Sequence, residues 1–133
     1  MRLYLDACTI IYAVEGEPTF RGTVLSHLSR ALSESGSTAL TSALSRLECR
    51  VKPLKDENSA LLKTYEDFFQ HPRVQLADVS HAVIEEATVI RAKYGFRTPD
   101  AIHLATAILH RADLFLTNDA SLKRCAEIAV QTI

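Results

Sequence analysis

Arg2-Leu3-Tyr4-Leu5-Asp6 opens the chain with three consecutive large apolar or aromatic side chains and then stops on an acid. An unbroken run of this kind reads as a strand covered on both faces, the habit of a parallel sheet sandwiched between helices. Comparable short runs recur at residues 38–41, 74–78, 113–117 and 128–132. With the first at 2–6, they give four to five strands separated by longer periodic segments. Alternation of this sort predicts an α/β fold with a mainly parallel sheet.

The intervening segments carry helical spacing. Residues 18–35 place Val24, Leu28, Ala31 and Leu32 on one face, with Gly36 as the stop. A second helix follows Ser42. A third spans 58–70, where Leu61, Leu62, Tyr65, Phe68 and Phe69 precede Pro72. A fourth starts at Ser80, carries Val83, Ile84, Ala87, Ile90 and Tyr94, and stops at Gly95. The fifth, 99–110, has Thr98 at the N-cap and Pro99 at the first helical position. A short sixth begins near Asp119 or Ala120.

The 133 residues suit one domain over 1–133, large enough to bury about two-thirds of the surface of the unfolded chain. A hydrophobic content of 47% with 23% charged residues is that of an ordinary soluble protein. No apolar run approaches the roughly 20 residues that span a bilayer. The early charges at Arg2 and Asp6 argue against a signal peptide, so the expected location is the cytoplasm. Cys8, Cys49 and Cys125 are odd in number and lack C-x-x-C spacing, and all three read as small core fillers. A formal net charge of −1 excludes a protein that coats nucleic acid by bulk electrostatics, but not an enzyme that holds RNA through a local patch and a metal.

Four acids stand out by position. Asp6 and Asp119 follow predicted strands, and carboxyl ends of parallel strands border the crevice where such sheets bind ligands. Each also has a plainer explanation, a turn for Asp6 and a helix cap for Asp119. Glu48 shares a helix face with Leu44, Leu47 and Val51, which would turn it toward the sheet. A charge buried there needs a cation, either a metal or a distant Arg. Asp100 lies in the first turn of its helix, where the dipole favours it and from which it can lean into the same crevice. His103, among Ile102, Leu104 and Ala105, reads as a packed, hydrogen-bonded core residue rather than a ligand. An all-carboxylate set suits Mg²⁺ or Mn²⁺ rather than Zn²⁺. No dinucleotide, Walker, nucleophile-elbow or zincin motif competes.

These residues resemble the PIN-domain nucleases, and among them the VapC-type toxins. The resemblance rests on Leu3-Tyr4-Leu5-Asp6-Ala7-Cys8-Thr9-Ile10-Ile11-Tyr12-Ala13 and Thr41-Ser42-Ala43-Leu44-Ser45-Arg46-Leu47-Glu48. It extends through Arg97-Thr98-Pro99-Asp100-Ala101-Ile102-His103-Leu104-Ala105-Thr106-Ala107 to Phe115-Leu116-Thr117-Asn118-Asp119, and so covers essentially the whole chain. It implies a three-layer α/β/α fold and Mg²⁺- or Mn²⁺-dependent endoribonuclease activity. Asp6, Glu48, Asp100 and Asp119 match the family's acidic positions as catalytic and metal residues. Thr117 matches a hydroxyl residue that orients a carboxylate or water. The resemblance also implies a homodimer and a cognate antitoxin. Cys8 departs from the Asn or Ser of many members.

On that basis Asp6, Asp100 and Asp119 are expected to hold the metal, and Glu48 to bind it or to deprotonate the attacking water. Arg46, Arg97, Lys123 and Arg124 flank the acids in sequence, as phosphate contacts or as a solvated rim. A haloacid-dehalogenase-type phosphatase would need an Asp where Cys8 stands. A receiver-like domain would need paired acids before its acceptor Asp and a Lys after the last strand, an order this chain lacks. A PIN-like binding module without turnover, and a housekeeping PIN nuclease, are the remaining alternatives.

Overall fold

The computed structural model describes residues 1–16, 18–31, 33 and 35–133. Five strands, β1 (Arg2–Leu5), β2 (Thr38–Ser42), β3 (Val74–Ala77), β4 (Leu114–Thr117) and β5 (Val130–Thr132), form one sheet in the order β3-β2-β1-β4-β5. All four pairings are parallel. The sheet is thus wholly rather than mainly parallel. Among the described residues, six α-helices flank it: α1 (Ala7–Glu15), α2 (Pro18–Ala31), α3 (Ala43–Lys55), α4 (Ser59–Phe69), α5 (His81–Tyr94) and α6 (Thr98–Leu109). A 3₁₀ turn covers Ala120–Arg124.

Side chains along each strand alternate between two cores, as the pleat requires. Tyr4, Leu40 and Phe115 face Val83, Ala87 and Ile90 of α5 and Ala101, Leu104 and Ala105 of α6. Leu3, Leu5, Ala39 and Leu116 face Ile10 of α1, Cys49 of α3 and Tyr65 and Phe69 of α4. The result is three layers, α/β/α. Among the described residues, no helix is long and apolar enough to cross a membrane.

Three expectations are corrected. No helix is expected from the sequence at Ala7–Glu15, where the β-branched Thr9, Ile10 and Ile11 have low helix propensity, yet α1 forms there. The helix forms because Asp6 caps it, accepting the Thr9 amide at 2.9 Å. α2 ends at Ala31 rather than at 35: the Ser33 hydroxyl donates to the Arg30 carbonyl and closes the last turn, before Gly36 takes φ +86°. The expected inward contribution of Ala31 and Leu32 lies outside the described side chains. The N-cap of α6 is Arg97, without a side-chain cap bond, so Thr98 is the first helical residue and Pro99 the second. Pro fits there because the first-turn amides lack intrahelical partners in any case.

The chain runs β1, β2, β3 outward on one side, then returns to place β4 on the other side of β1. Strand order therefore reverses between β1 and β4, and their carboxyl ends border a crevice. Buried hydroxyls stitch this edge: Thr9 donates to the Leu116 carbonyl at 2.9 Å and Thr41 to the Leu5 carbonyl at 2.7 Å. Replacing Thr9 with Val keeps the shape and deletes one such bond, and is expected to destabilise the protein by about 1 kcal/mol or more in urea unfolding. An unchanged unfolding midpoint would show that the bond contributes nothing.

Candidate metal and nucleic-acid site

At the crevice, Asp6, Cys8, Arg97, Asp100, Thr117, Asn118, Asp119 and Ala120 line an open cleft of about 340 Å³. Three of the four singled-out acids meet there. Each arrives from a different element: Asp6 from the β1–α1 junction, Asp100 from the first turn of α6, and Asp119 from the end of β4.

Asp6 is the best fixed. One oxygen accepts the Thr9 amide and the other accepts the Thr117 hydroxyl at 2.6 Å. The same Thr117 oxygen accepts the Asp119 amide at 3.1 Å, so a single hydroxyl ties the two acids together. Asp119 accepts the Ser121 amide at 2.9 Å and does cap the 3₁₀ turn, as its plainer explanation holds. Hydrogen bonds from the Ser121 side chain and backbone hold its carboxyl below the usual range, with Arg97 and Arg124 adding to the effect. Asp100 accepts from Arg97 Nε at 3.2 Å.

Glu48 stands apart from that lining. The face of α3 that it was expected to share is turned outward, with Leu47 58% and Val51 55% exposed. The buried face is Ser45, Cys49 and Pro53 instead. Small side chains there let the helix approach closely: Ser45 bonds Thr41 at 2.7 Å, and the Cys49 thiol meets the Ala7 carbonyl at 3.9 Å. Glu48 is half-buried, and its side-chain contact among the described residues is with a histidine rather than an arginine. Its Oε1 meets His103 Nε2 at 2.7 Å, and His103 Nδ1 meets the Tyr4 hydroxyl at 2.6 Å. His103 is a packed, doubly bonded core residue, as its apolar neighbours indicated. Burial pushes the Tyr4 phenol well up, and the charges of Asp6 and Glu48 add to this, while hydrogen bonding at Ser42 and Thr106 acts in the opposite sense.

Of the four flanking cations, Arg97 alone lines the cleft. Arg46 is tied to Glu66 at 2.7 Å, and Arg124 donates to the Tyr94 carbonyl at 3.2 Å and lies over the Phe96 ring. Cys49 and Cys125 are buried, but Cys8 is exposed at the cleft and is no core filler. Its position one residue into α1 turns it to the crevice. Crowding of its sulfur, followed by the charge of Asp6, pushes the Cys8 thiol up, and Asp100 and Asp119 contribute in the same sense.

Three carboxylates against one guanidinium leave the lining with an excess of two negative charges. Hard oxygen donors with unbalanced negative charge fit a small divalent cation. The carboxylates are held by protein donors, and among the described residues no group of three or more His, Cys, Asp or Glu forms a closed ion cage. A fit therefore requires side-chain movement within the acid set. Cys8 stood out in sequence as a departure from the family's pattern but not as part of the cleft wall, and Tyr4 did not stand out as a functional residue. A phenol in a strand covered on both faces must find a polar partner, and that was the available signal for Tyr4.

The sequence matches the PIN domain family over residues 3–128. No curated protein matches it. Among solved structures, the fold is similar to VapBC2 from Rickettsia felis bound to a DNA fragment from their promoter. That match has a TM-score of 0.76 and 18% identity over 99% of this chain and 98% of the other. A toxin–antitoxin complex from Klebsiella pneumoniae gives 0.72 and 20%, over 96% and 95%. FitAcB from Neisseria gonorrhoeae gives 0.71 and 20%, again over 96% and 95%. At these identities the likeness is one of fold.

The charge on Cys8 supplies a probe of the cleft. Asp6→Asn removes the strongest negative neighbour of the thiol, so iodoacetamide is expected to modify Cys8 faster in the variant than in the wild type at pH 8. Equal rates would mean that the carboxylate does not reach the sulfur.

Proposed function

Because the chain belongs to the PIN-domain family, we propose that it is a Mg²⁺- or Mn²⁺-dependent endoribonuclease, the toxin of a toxin–antitoxin pair. The observation that carries this reading is the acid-lined cleft at the reversal of strand order, where Asp6, Asp100 and Asp119 converge. When bound, a divalent cation would supply Lewis acidity to a phosphoryl oxygen and to water. Asp6, Asp100 and Asp119 would hold it. Thr117 donates to Asp6 and aims that carboxylate. Glu48 stands outside that lining, held by His103 at 2.7 Å. It takes the proton of the attacking water as the oxygen bonds to phosphorus and the P–O ester bond breaks. Arg97, exposed at the rim, meets the phosphate.

The fold likeness to toxin–antitoxin complexes supports a protein partner of the antitoxin kind. So does the exposed apolar stripe of Leu47, Val51 and Leu54 on α3. A homodimer and a cytoplasmic location complete the proposal.

Incubation of the purified protein with mixed RNAs tests it. Cleavage is expected with Mg²⁺ or Mn²⁺ and none with chelator, and Asp6→Asn should abolish it. Thr117→Val, which removes the bond that aims Asp6 together with the acceptor of the Asp119 amide, is expected to lower the rate about 10- to 100-fold. Cleavage that survives chelator, or survives in Asp6→Asn, would overturn the site.

A further inference from the structure

Tyr4 lies in the middle of β1, fully buried and stacked on Phe115 with ring centroids 4.9 Å apart. A buried hydroxyl must find a partner, and this one finds His103 Nδ1 at 2.6 Å. His103 is 3% exposed and meets Glu48 Oε1 with its other nitrogen at 2.7 Å. The direction of these bonds follows from the groups themselves. A phenol is protonated at neutral pH. A neutral imidazole that accepts at Nδ1 carries its proton on Nε2, and that proton faces a carboxylate, which can only accept. The row therefore runs donor to acceptor in one sense, from Tyr4 through His103 to Glu48.

Glu48 needs such a holder. It sits half-buried on α3, beside side chains that point to solvent, and a free Glu there keeps its full rotamer freedom. His103 is a rigid ring on α6, three residues beyond Asp100 and one turn further along the same helix. One helix thus places a cleft carboxylate directly and a second carboxylate through its histidine.

We propose that Tyr4 and His103 are positioning residues: His103, fixed in its Nε2–H form by Tyr4, holds Glu48 Oε1 and so aims the carboxylate at the proton of the attacking water. This rests on the nuclease reading of the cleft. His103 touches neither substrate nor metal in this role, and Tyr4 acts only through His103.

Two measurements test it. In the metal-free protein, long-range ¹H–¹⁵N correlation of the imidazole is expected to show His103 protonated at Nε2 and unprotonated at Nδ1; a proton on Nδ1 would overturn the proposal without any assay of activity. The second is a double-mutant cycle on RNA cleavage. Tyr4→Phe removes one oxygen from a stacked ring and is expected to lower kcat about tenfold with KM nearly unchanged. In a Glu48→Gln background the same substitution should have almost no effect, because the group it positions is gone. A tenfold loss that persists in that background would assign Tyr4 a purely structural role and overturn the proposal. Wild-type protein that cleaves no RNA would instead overturn the nuclease reading, while the tautomer measurement still decides how His103 is held.

Discussion

The hydrogen bond from Thr117 to Asp6 crosses the one seam in the sheet that the rest of the carboxyl edge depends on. β1 and β4 are neighbours in space but lie at opposite ends of the chain, and the strand order reverses between them. Nothing local in sequence could bring those two strand ends together. Once they pair, with Leu5 opposite Leu116, Asp6 and Thr117 are the next residues out on each side. Thr117 then holds Asp6 through its hydroxyl proton and the Asp119 amide through its lone pair. Thr9 closes the seam from the side of α1 by satisfying the Leu116 carbonyl. One strand pairing and two threonines place two of the cleft's three acids, and the first turn of α6 brings the third.

Bringing like charges together is costly, and the structure offsets that cost with hydrogen-bond donors and one counterion. Asp6 has an amide and a hydroxyl, Asp119 a serine and its amide, and Asp100 the guanidinium of Arg97. With one guanidinium against three carboxylates, the lining keeps an excess of negative charge. RNA, itself an anion, is repelled by such a surface until a cation is present. Glu48 belongs to a different arrangement. It is served by a buried aromatic and imidazole pair whose other contacts lie in the core between the sheet and α5 and α6.

The strands and most helices were legible because their signals are local. Leu3, Tyr4 and Leu5 announce a strand covered twice, Gly95 closes α5 in the left-handed conformation at φ +74°, and Asn58 and Ser80 cap their helices. The four acids were legible by position, and three of them do share a cleft. What escaped was set by tertiary context. Asp6 starts α1 despite the β-branched residues after it, since the cap and the burial of Ile10 outweigh their low propensity. The facing of α3 also escaped: its apolar period points at Leu47 and Val51, but the close approach to α1 selects the smaller Ser45 and Cys49. The partner of Glu48 comes from a helix 55 residues away, a distance over which spacing carries no information.

Catalysis at the cleft between β1 and β4 would depend on a divalent cation held there. Crystals grown with Mn²⁺ and measured for anomalous scattering test this without reference to any substrate. One or more peaks bounded by Asp6, Asp100 and Asp119 are expected, with His103 still on Glu48 Oε1. An empty cleft at saturating Mn²⁺, or a peak centred on His103, would contradict it.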